Sequence, residues 1–328
     1  MINIGLAITN NEEKFLNYKK EIKDSIKQNH LINIINVSSE KKLYQHIKDL
    51  NILLTYSINT KYFNKRSNQL KWIQIGNAGV DDSLIEDVIK SKIIITNSRG
   101  INAVPVAEYV ISIILYFSKN FSNCISYKKE KVCRQWEIAK KTDTLENQTI
   151  GIICYGAIGK EIAKRAKAFN MKVLAIKRLQ KEKTNTRIVN QLLPLNKMDY
   201  IISNSNYLII TCPLTPRTKK LINKKNLSLM PKNSYLINVS RGEIIEEKDL
   251  IEHLKNNKIK GVALDVFSNE PLNKNSELFN LNNTFLSPHI AGNFKGYQMA
   301  LIKSFIENLN RYLDKKSLKN RVCKKRLY

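Results

Sequence analysis

The sequence has no apolar run of the ~20 residues that a membrane-spanning helix requires. Its longest, VPVAEYVISIILYF, is interrupted by Glu108 and reads as a buried helix. The start, MINIGLAITNNEEKF, has no basic leader and turns acidic at once, so no signal peptide is expected. Cysteine is scarce, and Cys124, Cys133, Cys154, Cys212 and Cys323 form neither a CxxC pair nor a metal-ligand spacing. No metal site is expected, and free thiols in a reducing cytoplasm fit best. Internal repeats and low-complexity tracts are also missing. Acidic residues are few, 28 against 55 Lys and Arg, for a formal net charge of +27. Such an excess invites a nucleic-acid reading. The positive charges are nevertheless spread along the chain, and Lys, Asn and Ile are all abundant, as an A/T-rich genome produces. No specific nucleic-acid partner is expected, and no membrane partner. Only KKSLKNRVCKKRLY is densely basic, and such a run is usually solvated.

What is present is a globular composition, 43% hydrophobic and 25% charged, over 328 residues, enough for two domains of ordinary size. Up to about residue 98, short β-branched runs alternate with polar helical segments. INIGLAI, INIINV, NILLTY, WIQIG and IIIT read as strands, and NEEKFLNYKKEIKDSIKQ and KKLYQHIKDL as amphipathic helices. A long helix is predicted from about Asn102, its N-cap, to about residue 120, followed by a polar, irregular region over 121–148. A second series follows, with TIGIIC, KVLAI, YLIIT, SYLINV, IKGVAL and TFLS as strands and a last amphipathic helix over roughly 297–313. The alternation predicts parallel sheets with helical crossovers, α/β and doubly wound in both halves.

In such sheets ligands bind outside the carboxyl ends of the strands. After the first strand of the second series comes CYGAIG, in which Gly156 and Gly159 keep the spacing of a dinucleotide-binding turn while Cys154 replaces its first glycine. The helix from Ile158 would aim its amide groups at phosphate. An acidic residue is expected about twenty residues further on to bind a ribose hydroxyl. Lys177 and Arg178 stand there instead, which favours NADP(H), with NAD(H) as the alternative. Of the four histidines, His30, His46 and His253 lie in polar or helical surface contexts and receive no role. His289 follows Ser287-Pro288 at a strand end. Glu270 precedes Pro271, which biases its backbone towards extended geometry. A carboxylate bonded to an imidazole orients the ring and favours its charged form, giving a general acid towards a carbonyl oxygen. Arg241, two residues past an apolar strand, offers a planar fork for a carboxylate.

With NVSRGE, LDVFSNEPL and LSPHIAG in that order, the chain resembles the D-isomer-specific 2-hydroxyacid dehydrogenases over nearly its whole length. WIQIGNAGVDD is similar to their substrate loop, TNSRGINAVPVAEYV to their interdomain helix, and CPLTPRTKKLI to their adenine-side loop. The resemblance implies two Rossmann-like doubly wound parallel-sheet domains with a cleft between them. Residues 1–98 plus 292–328 would form a discontinuous, flavodoxin-like substrate domain, and 99–291 the NAD(P)-binding Rossmann domain. It makes His289 the acid/base, Glu270 its partner and Arg241 the anchor of the substrate carboxylate and carbonyl. Backbone groups of Asn77, Ala78 and Gly79 would also hold the carboxylate. Gly156, Ala157, Ile158 and Gly159 would meet the pyrophosphate, Cys212 and Pro213 line the adenine side, and Asp265 face the nicotinamide carboxamide. Val239, Ser240 and Gly292 complete the expected cofactor contacts. A cytoplasmic homodimer is implied, with the stretch around Arg134 and Trp136 in the contact. The implied reaction is reversible hydride transfer between NAD(P)H and a small 2-oxo acid giving the D-2-hydroxy acid. Hydroxypyruvate or glyoxylate is the favoured substrate. A phosphoglycerate dehydrogenase and a non-catalytic regulator of the corepressor type are the alternatives.

Overall fold

Every strand pairing within the two sheets is parallel, as continuous apolar strands separated by amphipathic helices require. The computed structural model describes residues 1–26, 31–178, 180, 182 and 184–328; His30 lies outside them. The chain divides into two compact units, Met1–Ile101 with Phe294–Tyr328, and Asn102–Asn293.

In the first unit, β1 (Ile2–Ala7), α1 (Glu12–Asp24), β2 (Ile32–Asn36), α2 (Glu40–His46) and β3 (Ile52–Thr55) follow in order. Then come α3 (Thr60–Phe63), β4 (Trp72–Ile75), α4 (Glu86–Lys90) and β5 (Ile94–Thr96). The strand order is β2-β1-β3-β4-β5, a doubly wound arrangement. Successive side chains of a strand face opposite ways, so Ile52 and Leu54 join one core while Leu53 joins the other. α1 starts where Asn11 accepts a hydrogen bond from the Lys14 amide (2.8 Å), and its Phe15, Tyr18 and Ile22 recur at helical spacing to face the sheet.

The second unit opens with α5 (Ala103–Ser118), α6 (Phe121–Glu130) and α7 (Gln135–Ala139). β6 (Thr149–Ile153), α8 (Ala157–Ala168), β7 (Lys172–Ile176), β8 (Gln191–Leu193) and α9 (Met198–Ser203) follow. β9 (Tyr207–Ile210), α10 (Lys224–Ser228), β10 (Tyr235–Asn238), α11 (Glu247–Lys255), β11 (Gly261–Leu264) and β12 (Thr284–Leu286) complete it. The sheet order is β12-β11-β10-β9-β6-β7-β8. β6 therefore has β9 on one side and β7 on the other, which makes its carboxyl end the point where the strand order reverses. Tyr207 and Ile209 face one core, Leu208 and Ile210 the other. The chain then returns to the first unit as α12 (Tyr297–Leu313), whose Phe305 stacks on Trp72 with ring centroids 5.2 Å apart.

Four local expectations need correcting. The region 121–148 contains α6 and α7; neither buries a residue, so no apolar periodicity marked them. β8 was not anticipated, because three residues are too short to show a pattern. Asn102 occupies the N-cap position of α5 but makes no side-chain capping bond. The basic C-terminal run is partly folded rather than simply solvated. Val322 donates to the Ile95 carbonyl (2.8 Å), Arg321 forms an antiparallel bridge with Thr96, and Lys324 donates to the Ser91 carbonyl (2.7 Å). Among the described residues, no helix is long and apolar enough to cross a membrane.

Candidate active site

The turn between β6 and α8 explains its own departure from the glycine pattern. Cys154 has φ 82°, a left-handed conformation that glycine adopts freely and that costs a residue with a β-carbon ~1 kcal/mol. Neighbours hold it there. The Thr211 hydroxyl is shared between the Cys154 carbonyl (2.8 Å) and the Ile153 carbonyl (3.1 Å), and Tyr155 donates its amide to Ile176 (2.6 Å). A β-carbon on Gly159 would stand 3.1 Å from both the Cys154 carbonyl oxygen and Ile152, so this glycine lets the helix lie close on its strand. Gly156 is different. Nothing lies within 4 Å of where its β-carbon would stand, and as N-cap of α8 it supplies no side-chain acceptor. The first amides of the helix, those of Ala157, Ile158 and Gly159, have no intrahelical acceptor, which suits them to a pyrophosphate.

Lys177 and Arg178 are exposed at the end of β7. Burial pushes the Cys154 thiol up, and the nearby Arg178 charge partly opposes that. Cys212 is 4% exposed and packed in a core, which leaves the half-buried Pro213 to offer surface at the end of β9. Val239 is buried as well, whereas Ser240 is half-buried and bonds through both its amide and its hydroxyl to Asn238 Oδ1. Gly292 is half-buried, with the Asn102 side chain 2.9 Å from its would-be β-carbon.

The arginine, glutamate and histidine motifs leave the carboxyl ends of β10, β11 and β12, three consecutive strands at one side of the sheet. Asn238 shapes the first turn by donating to the Arg241 carbonyl (2.8 Å). Gly242 then meets backbone directly, since a β-carbon on it would fall 1.9 Å from the Phe267 carbonyl carbon. That close approach seats the Arg241 turn against the turn carrying Glu270. Sequence reasoning missed both residues; the Asn and Gly bracketing VSR were the signal. Arg241 is half-buried, with Nη1 donating to the Ser240 carbonyl (2.8 Å).

Glu270 accepts the Phe267 amide on Oε1 (3.0 Å) and faces His289 Nδ1 with Oε2 (2.8 Å). The Glu270–Pro271 peptide is cis. A carboxylate only accepts, so Nδ1 carries a hydrogen and Nε2 is the outward position that can hold or release a proton. The imidazole is 47% exposed and the glutamate side chain 36%. His289 itself has φ 54°, and its amide bonds to the Asp265 carbonyl (2.8 Å).

Asp265, 2% exposed, turns its carboxylate to the same loop. Oδ1 accepts from the Ser287 hydroxyl (2.6 Å) and the Ile290 amide (2.8 Å), Oδ2 from the Ala291 amide (2.9 Å). These three bonds take most of its accepting capacity and make it the clamp of the histidine loop. His253 is not at the surface as expected. At 1% exposure it shares a helix face with Leu250 and Leu254, and its ring nitrogens meet the Asp249 carbonyl (2.9 Å) and Ser228 Oγ (3.4 Å), which makes burial tolerable.

In the first unit, the loop after β4 carries Asn77, Ala78 and Gly79. Ser98 donates to the Asn77 carbonyl (3.1 Å) and Asn97 to that of Ala78 (2.7 Å), while Asn77 Nδ2 donates to Tyr56 (3.1 Å). Among the described residues the backbone amides of 77–79 have no acceptor, so the loop is pinned by its carbonyls and presents its N–H groups.

Known proteins are similar to this chain. The family model for the NAD binding domain of D-isomer specific 2-hydroxyacid dehydrogenases matches residues 111–291, more than half of the chain. A glyoxylate reductase of Pyrococcus furiosus is 31% identical over 263 residues, covering 76% of this chain and 75% of its own. A D-3-phosphoglycerate dehydrogenase of Methanocaldococcus jannaschii is 29% identical over 279 residues, covering 84% of this chain and 52% of its own. An NADPH-dependent glyoxylate/hydroxypyruvate reductase from Sinorhizobium meliloti, solved with NADP and sulfate, shares the fold with a TM-score of 0.85. Its identity is 19%, and the match covers 100% of both chains. The chain belongs to the D-isomer specific 2-hydroxyacid dehydrogenase family, for the match runs through the glycine turn and the strand ends of Arg241, Glu270 and His289 alike. It is an NAD(P)-dependent oxidoreductase acting between 2-oxo acids and D-2-hydroxy acids.

Proposed function

We propose that this enzyme reduces a small 2-oxo acid of the glyoxylate or hydroxypyruvate type, with NADPH as the preferred donor. The observation that carries the reading is the 2.8 Å contact between Glu270 Oε2 and His289 Nδ1, which leaves Nε2 as the proton-bearing atom. A bound nicotinamide supplies hydride. Arg241 binds the substrate carboxylate and polarises the carbonyl, and in the first unit the free amides of Asn77, Ala78 and Gly79 are suited to an anion. His289 Nε2 donates its proton to the oxygen as negative charge develops there, and Glu270 holds the ring in place through Nδ1. The amides of Ala157, Ile158 and Gly159 would hold the pyrophosphate, with Ser240 and Pro213 offering further surface. Lys177 and Arg178 suit a 2′-phosphate, which a carboxylate at that place would repel.

The test is a panel of glyoxylate, hydroxypyruvate, pyruvate and 3-phosphohydroxypyruvate against NADPH and NADH, followed by absorbance loss. Turnover confined to NADH, or to the phosphorylated acid, would contradict the respective half of the proposal. The relatives named phosphoglycerate dehydrogenase make that last substrate the second reading.

The enzyme is further proposed to be a homodimer that uses α6 and α7. Their Phe121, Ile125 and Trp136 are exposed, Trp136 to 73%, and none packs in its own unit. Trp136→Glu should halve the mass in light scattering; an unchanged mass, or a wild-type monomer, would refute it.

A further inference from the structure

The left-handed backbone of His289 persists only if its surroundings hold it. Asp265 binds the loop on both sides of the histidine, through Ser287 before it and Ile290 and Ala291 after it. Ser287 has one hydroxyl hydrogen and gives it to Asp265, so its oxygen can only accept from anything else. The group it meets is the Tyr109 hydroxyl, which must therefore be the donor. Burial pushes this phenol up to about 12; its bond to Ser287 opposes the shift and the Asp265 charge adds to it, so it remains a donor at neutral pH. Tyr109 stands on α5, whose Val106, Ala107, Val110 and Ile114 are buried in the core, so the donor sits on a fixed element. For the core a phenylalanine ring would serve equally; among the described residues the hydroxyl has this one partner to explain it.

We infer that Tyr109 is a positioning residue for the reaction, acting through Ser287 and Asp265 to fix the loop that presents the His289 imidazole. The inference rests on the reading of His289 as the acid/base. Tyr109→Phe removes one oxygen, and the loss of one oriented hydrogen bond should lower kcat by about tenfold. NADPH affinity, measured by fluorescence, should stay within about twofold, because the glycine turn is on β6 and not on this loop. In spectra of the 15N-labelled imidazoles, the His289 resonances should shift while those of His46 and His253 stay in place. Ser287→Ala should reproduce the loss, and the double variant should be no worse than either single one.

The inference is overturned if kcat and the His289 resonances are both unchanged in Tyr109→Phe, or if the Tyr109→Phe and Ser287→Ala losses add. Combining Tyr109→Phe with His289→Gln separates it from the reading beneath it. No further loss in that background supports action through the histidine, and a repeated tenfold loss places Tyr109 elsewhere. A His289→Gln enzyme with full kcat would instead remove the acid/base assignment, while the shifted resonances would still report the coupling of Tyr109 to the loop.

Discussion

Replacing Gly242 by alanine should disable catalysis without touching a group that reacts. The new β-carbon would lie 1.9 Å from the Phe267 carbonyl carbon, 2.2 Å from its oxygen and 2.3 Å from the Ser268 nitrogen. All three are backbone atoms, so no side-chain rotation relieves the clash, and the two turns must part by roughly 1.5 Å to reach ordinary contact. Arg241 lies on one of them. On the other, Phe267 gives its amide to Glu270 Oε1, so the glutamate and the histidine it orients move together. A misplacement of about 1 Å costs on the order of 100-fold, and kcat/KM for glyoxylate should fall by at least about that factor. The glycine turn leaves β6, separated from β10 by β9, so NADPH affinity should fall much less than kcat/KM, by about tenfold at most as Ser240 shifts with its turn. Steady-state kinetics and fluorescence titration on protein shown to be folded by circular dichroism give both numbers. A folded variant retaining kcat/KM within about threefold of wild type would refute the claim that this contact sets the geometry.

Two further predictions concern the cofactor side. Lys177→Glu with Arg178→Glu should reverse the ratio of kcat/KM for NADPH over NADH; an unchanged ratio would show that neither cation reads the 2′-phosphate. Burial pushes the Cys212 thiol up to about 12, and the neighbouring Cys154 sulfur adds to the shift. A raised thiol pKa keeps the unreactive form throughout the range below it, so at pH 8 a disulfide reagent should modify the exposed Cys124 and Cys133 but reach Cys212 only on unfolding. Modification of native Cys212 at the rate of Cys124 would contradict the burial described here.

The strands were legible because a parallel sheet is covered on both faces, so runs such as YLII and YLIN read as apolar blocks. The rim residues were legible because strand ends collect ligands in this class of fold, and Glu270 and His289 do meet. What escaped lacks a local signal. α6 and α7 bury nothing, β8 has three residues, and the C-terminal run docks on β5 through backbone bonds that no side chain announces. Helix periodicity was present at His253, but a histidine on an apolar face is readable as buried only once its two polar partners are known. Likewise the hold of Asp265 on Ser287, Ile290 and Ala291 has no signal in the residues around it. The positive φ of Cys154 shows why a glycine is usual there, and Thr211, which holds the turn, is 57 residues away.

The central claim is that His289 protonates the substrate oxygen while Glu270 keeps its imidazole oriented. Stopped-flow reduction of glyoxylate by NADPH, comparing wild type with His289→Gln, tests it most directly. The rate of the first turnover should fall by roughly 100- to 10,000-fold while NADPH still binds as in wild type. A first turnover as fast as that of wild type, with the histidine gone, would contradict it.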